Sequence, residues 1–196
     1  MGKVEVFIDI SARHVHLTRE DAEKLFGKGF ELTPKKQLGG GFQAQEKVAL
    51  VGPKSRIDNV SILGPFRHTQ VELALTDSRK LGIATPIRLS GDVRGSASIT
   101  IVGPAGAIEI PEGAIAAKRH MHIGKNLADT LGITNDSVVK VRIQTPDRSL
   151  VFEDVPCRVQ PFDPVGPPAV VHLDTDEANA AGMTGPQMGE IVDIGN

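Results

Sequence analysis

The chain of 196 residues is long enough to bury one large core or two small ones, and its 40% apolar content is that of a globular protein. Its 22 basic and 24 acidic residues nearly cancel, and with no Trp or Tyr there is little to stack on bases, so no nucleic-acid partner is expected. No apolar run reaches the roughly 18 residues of a membrane span, MGKVEVFIDI lacks the features of a signal peptide, and the single Cys157 cannot form an internal disulfide, so no membrane and a cytoplasmic, reducing location are expected.

The alternating run VEVFID (residues 4–9) reads as a strand. TREDAEKLFG (18–27) reads as a short helix, with Thr18 and Asp21 at capping-box spacing and Gly27 as its stop. Gly39-Gly40-Gly41 lacks the Gly-Lys-Ser/Thr ending of a phosphate loop and is expected to turn. KVALVG (47–52) and NVSIL (59–63) are strands, and the GPKS stretch (52–55) between them is a hairpin turn. TDSRKLG (76–82) is a second helix, and SITIVG (98–103) and AIEI (107–110) are two more strands. GKNLADTLG (124–132), VVKVRI (138–143), PAVVHL (168–173) and TDEANAAG (175–182) supply a helix, two strands and a last helix, with Asp176 expected as the final cap. Short strands punctuated by 21 glycines and 13 prolines point to a mainly β protein of barrels or sandwiches with four short helices.

The chain also repeats itself. SARHVHL (11–17) and AKRHMHI (117–123) align at an offset of 106, which superposes Arg13 on Arg119, His14 on His120 and His16 on His122. VELALTDSRKLG (71–82) aligns with VHLDTDEANAAG (171–182) at an offset of 100, which puts Glu72 on His172. In a strand, residues i and i+2 share a face, so each His-x-His pair can converge on one ion. Glu72 and His172 are the expected third ligands, leaving one coordination position open as a catalytic zinc site requires. Whether each third ligand serves its own half or the other stays open at this level. A lone His-x-His is ordinarily incidental, but two copies with a third ligand type at related positions favour metal sets His14/His16/Glu72 and His120/His122/His172. Only His68 stands outside them, as a surface residue. Arg67, five residues before Glu72, is either a surface ion-pair partner or a binder of a tetrahedral oxyanion. Cys157, in VPCRV, is expected to be a buried small hydrophobe, and no serine sits in a G-x-S-x-G elbow.

RHVHLTREDAEKLFG, ILGPFRHTQVELALTD, IRLSGD, AKRHMHI and HLDTDEANAAG together resemble the phosphate propanoyltransferase family of phosphotransacylases, over residues 3 to 193. The resemblance implies two pseudo-repeated β-barrels capped by short helices. Residues 1–12 plus 118–196 would form one barrel, joined by the N-terminal strand, and 13–117 the other, with the active site between them. It further implies two zinc ions on the two sets above, a phosphate-binding catalytic Arg67, and coenzyme A contacts at Ser11, Lys36 and Asn179. The reaction implied is reversible transfer of a short acyl group, propanoyl first, between coenzyme A and phosphate, in a homo-oligomer. Thiolate is expected on the Glu72 set, with phosphate on the second ion and Arg67. Relatives of this kind serve propanediol degradation in a bacterial microcompartment, but the N-terminal extension used for packaging there is not expected here. Two other readings share these residues: a dinuclear zinc hydrolase acting on a thioester, and a non-catalytic double-psi-like binding barrel suggested by LGITNDSVVKVRI (131–143).

Overall fold

A computed structural model describes residues 4–164 and 166–195. The first part of the chain forms β1 (Val4–Ile10), β2 (His14–His16), α1 (Arg19–Phe26), β3 (Pro34–Leu38), β4 (Gly41–Val51), β5 (Arg56–Gly64), β6 (Gln70–Leu73), α2 (Leu75–Leu81), β7 (Ile87–Arg88), β8 (Ala97–Val102) and β9 (Ala107–Ala117). The second part forms β10 (His120–Ile123), α3 (Lys125–Leu131), β11 (Val138–Ile143), β12 (Leu150–Val159), β13 (Ala169–Leu173), α4 (Thr175–Ala180) and β14 (Gln187–Gly195). No helix among the described residues is long and apolar enough to cross a membrane.

The strands make two closed six-stranded barrels, so the fold is mainly β as expected. One runs β1-β13-β10-β12-β11-β14 and closes through the pairing of β14 with β1. The other runs β4-β5-β2-β6-β9-β8 and closes through β8 on β4. Beyond that ring β3 pairs with β4 and β7 with β9. Closure leaves few unpaired edges, which are the aggregation-prone part of any sheet.

The barrels are copies of one another. Each His-x-His strand lies parallel to one neighbour (β2 to β5, β10 to β12) and antiparallel to the other (β2 to β6, β10 to β13). The strand just before each His-x-His strand pairs in the opposite barrel: β1 runs parallel to β13, and β9 parallel to β6. The described residues up to Ser11 therefore form one compact unit with those from Lys118 onward, and Ala12–Ala117 forms the other. The chain changes unit twice, at the same point of the repeat.

Each unit has its own apolar core. In the unit containing β1, Ile8, Met121, Ile123, Val141 and Leu173 are fully or almost fully buried; in the other, Val15, Leu17, Leu50, Ile62 and Leu73 are. Val15 and Met121 are the middle residues of the His-x-His motifs, so the apolar face of each motif points inward. The Gly-Pro hairpin turns serve the helices. A Cβ on Gly52 would lie 2.3 Å from the Leu81 carbonyl oxygen at the end of α2, and one on Gly103 would lie 2.4 Å from that of Leu25 in α1. Lys54 and Ala105 in those turns donate backbone N–H bonds to the same two carbonyls, at 3.0 and 2.9 Å.

Some elements depart from the local reading. AIEI was expected to end at Pro111, yet β9 continues to Ala117. Pro111 falls in the register shift of the β8–β9 pairing, between Ile110 and Ala114, and before the β6 pairing begins at Ala114, so its missing N–H breaks no ladder bond. Pro156 in β12 is the last residue paired with β11, opposite Val138, immediately before the pairing with β10 begins at Cys157. The last helix is capped by Asp174 rather than Asp176: the Asp174 carboxylate accepts from Glu177 N–H at 2.8 Å, and Glu177 accepts from Asp174 N–H in return. The Thr18 cap and the Gly27 stop are as expected.

Because β1 closes a barrel built from residues a hundred positions away, Ile8→Ala should cost about 2–5 kcal/mol. Urea unfolding would read the loss, and hydrogen exchange should show lost protection in β13 and β14 before β2 and β6.

Candidate functional site

The geometry of the first ligand set follows from the strand pairing. His14 and His16 lie on the face of β2 opposite Val15, and in the antiparallel register His14 stands directly across from Glu72 on β6. All three side chains are buried. His14 Nδ1 lies 2.9 Å from the Ala12 carbonyl oxygen and His16 Nδ1 lies 3.0 Å from that of Leu63. A carbonyl oxygen only accepts, so in both rings Nδ1 carries a proton, and in the neutral form Nε2 keeps the lone pair a metal ion takes up. These Nε2 atoms face Glu72 Oε1 at 3.5 and 3.6 Å, and the ligand atoms of the three residues all lie within 4.8 Å of one another. A tetrahedral ion with ligands at about 2.0–2.2 Å separates neighbouring ligand atoms by about 3.3–3.6 Å. The donor types, tautomers and spacing of this set therefore fit a zinc-like cation.

Burial opposes ionisation of Glu72, but hydrogen bonds from His14 and His16 in their protonated forms, the charge of His14 and a hydrogen bond from Ser90 outweigh it and hold the carboxyl well below the usual carboxylate range. Burial also pushes both imidazoles down. In His14 the hydrogen bond and charge of Glu72 reverse that shift, while in His16 burial prevails. Arg67 stands at the rim of this set. Its Nη2 lies 2.7 Å from Ser90 Oγ and 3.5 Å from Glu72 Oε1, and its side chain is 44% exposed. Arg67 thus belongs to the barrel of the Glu72 set, and there it is partnered by the Glu72 carboxylate.

The second set repeats the arrangement. His120 stands across from His172 in the same register that sets His14 across from Glu72. His120 Nδ1 faces the Lys118 carbonyl at 3.0 Å, and His120 Nε2 lies 3.2 Å from His122 Nε2. The three ring centres are 4.9 to 5.4 Å apart. Burial and the neighbouring rings of His120 and His172 push His122 down to about 4, so it stays neutral and able to ligate at ordinary pH. His122 Nδ1 meets the Gln160 side-chain amide, and turning that amide to present its oxygen leaves Nε2 as the ligand atom. His172 Nδ1 lies 3.9 Å from an Asp9 carboxylate oxygen on β1. Glu72 and His172 thus each lie in the same unit as the His-x-His pair they face.

The arginine of each Arg-His-x-His motif, to which the local reading assigned no role, ties its strand to a helix. Arg13 Nε donates to Asp77 Oδ1 at 2.8 Å, and Arg119 pairs with Glu177 and Asp154. Asp77 and Glu177 are the third helical residues of α2 and α4, and each also accepts from the backbone N–H at its helix cap. Those helices begin three residues after Glu72 and His172, so the clamp fixes Glu72 and His172 against the first histidine of each motif. A repeated arginine followed by a repeated acidic residue is the sequence signal for it.

The remaining candidates are dispersed. Ser11 follows β1 and donates its backbone N–H to Leu173, Lys36 is exposed on β3, and Asn179 is exposed at the end of α4. His68 is exposed. Cys157 is buried in the apolar core, where burial pushes its thiol up to about 11. Gln70 and Ser90 escaped the local reading although both touch the first set.

The sequence model of a family described as phosphate propanoyltransferase matches residues 7–184. A phosphate propanoyltransferase of Lachnoclostridium phytofermentans is 49% identical over 190 residues, which cover 95% of this chain and 85% of that protein. Proteins of the same name from Thermotoga maritima and Salmonella typhimurium are 44% and 42% identical. They cover 90% and 91% of this chain and 83% and 84% of their own lengths.

Arg13→Ala leaves the buried carboxylate of Asp77 without its guanidinium. The variant should lose about 1–3 kcal/mol of stability in urea unfolding, and hydrogen exchange should show the loss centred on α2 and β6.

Proposed function

The chain belongs to the phosphate propanoyltransferase family, and from that premise we propose that it moves a short acyl group, propanoyl by preference, reversibly between coenzyme A and inorganic phosphate. The observation that carries this reading is the half-exposed Arg67 guanidinium at the rim of a buried imidazole–carboxylate set. A planar cation there binds a tetrahedral oxyanion through paired N–H bonds. The ligand sets are proposed to hold two zinc ions per chain, one on His14, His16 and Glu72 and one on His120, His122 and His172. Bound there, zinc supplies Lewis-acid charge that favours departure of a thiolate and growth of an oxyanion on the carbonyl.

Arg67 holds phosphate and orients one of its oxygens toward the thioester carbonyl carbon, turning an encounter of two solutes into a positioned reaction. That oxygen forms the new C–O bond, the C–S bond breaks, and the coenzyme A thiolate leaves with the electron pair. Transfer is direct. Cys157 is unsuited to carry the acyl group, because its thiol is buried and its pKa raised. Lys36 offers an exposed ammonium to a coenzyme A phosphate, and Ser11 and Asn179 are proposed as further contacts to that substrate.

Free-thiol release from propanoyl-CoA should require both phosphate and bound metal, stop on chelation and return with zinc. Release without phosphate would replace this reading by a thioester hydrolase, and trapping of an acyl-protein during turnover would eliminate direct transfer. Arg67→Ala should lower kcat/KM for phosphate about a hundredfold or more while leaving two metal ions per chain by elemental analysis. Glu72→Ala should leave one.

A further inference from the structure

The motif IRLSGD (87–92) has no role in the reading above, yet its turn touches the site. Asp92 N–H donates to the Leu89 carbonyl at 3.0 Å, closing a four-residue turn with Ser90 and Gly91 at its centre. Gly91 has φ +95°, which a side chain would strain, so glycine is what the turn requires at its third position. The turn aims two groups inward. Gly91 N–H donates to Gln70 Oε1 at 2.9 Å, and Ser90 Oγ lies 2.7 Å from Arg67 Nη2 and 2.6 Å from Gln70 Nε2.

Gln70 is buried to 1% exposure, and its amide orientation is determined. The Gly91 N–H can only donate, so the amide atom facing it is the oxygen. The nitrogen then faces Glu72 Oε1, 2.7 Å away, and Ser90 Oγ. One side chain thereby anchors the turn to a carboxylate of the metal set, and the turn presents a hydroxyl oxygen to Arg67. The guanidinium is 3.5 Å from Glu72 but 2.7 Å from Ser90, so the serine is its closer fixed partner. A long, half-exposed arginine side chain loses rotamer freedom when it captures an anion, and a partner that already holds it reduces that cost.

We propose that Ser90, fixed by Gln70 and the glycine turn, is a positioning residue that orients Arg67 for phosphate. This rests on the phosphotransacylase reading given above. The serine acts on phosphate through the arginine, and its hydroxyl also bonds the Glu72 carboxylate, so its loss should be felt first by phosphate, and metal analysis separates the two contacts.

Steady-state kinetics of thiol release with both substrates varied, together with metal analysis, test it on the full chain loaded with zinc. Ser90→Ala should raise KM for phosphate about tenfold, the scale of one hydrogen bond to a charged group, with KM for propanoyl-CoA and bound metal unchanged. Ser90→Thr and Ser90→Val have nearly the same shape, and only the threonine should retain low KM for phosphate, so their difference isolates the hydroxyl whatever happens to packing. In an Arg67→Ala background, Ser90→Ala should add no further loss. The proposal is overturned if KM for phosphate stays within about twofold of the parent protein. It is also overturned if Thr and Val behave alike, or if the losses in the double variant add. Phosphate-independent release by the parent protein overturns the underlying reading and this one with it. Phosphate-dependent release with an unaffected Ser90→Ala variant overturns this one alone.

Discussion

The antiparallel register that sets His14 across from Glu72, and His120 across from His172, is the constraint on which the rest of the structure depends. A slip of one residue would send the histidines to the apolar interior and Val15 or Met121 to the site. The register is held at two places. Inside, Val15 and Met121 are fully buried in their cores. Just before each strand, Arg13 and Arg119 clamp the acidic residues in the first turn of the helices that follow Glu72 and His172. Core packing and ligand geometry therefore specify the same pairing, and neither has to distort the other.

The closure of the barrels serves that register. A three-residue strand such as β2 is too short to hold its place alone. It is held by a parallel neighbour on one side and an antiparallel one on the other, in a ring with no free end at that point. The strand that precedes it pairs in the other unit, so the chain leaves one barrel and enters the other immediately before the ligand pair. Prolines that would interrupt an isolated strand are accommodated where β9 and β12 change partners.

The electrostatics of the Glu72 set show why so many polar groups can be buried together. Two imidazoles, a guanidinium and an amide converge on one carboxylate, and each has a second partner: a backbone carbonyl for each histidine, Ser90 for Arg67, Gly91 for Gln70. A buried network is stabilising only when its members are satisfied. The second set is built of imidazoles alone, with Asp9 beside His172, so its balance of charge differs from the first. That difference gives two copies of one motif unlike electrostatic environments.

The sequence by itself determined that the protein is mainly β, that it contains one module twice, and which residue types could ligate a cation. These follow from period-2 patterning, glycine and proline punctuation and an internal alignment, all of which are properties of short segments. The duplication was legible because His14, His16, His120 and His122 keep their spacing under a single offset, and the family resemblance rested on the same stretches. Only the tertiary structure decided that Glu72 and His172 each face the His-x-His strand of their own barrel, that Arg67 stands beside Glu72, and that Asp174 caps the last helix. It likewise decided that Gln70 and Ser90 join the site and that the motif arginines clamp helices. Those contacts join residues separated by up to 64 positions, as Arg13 and Asp77 are. Their partners are chosen by strand register and barrel closure, and no local pattern of side chains contains that information.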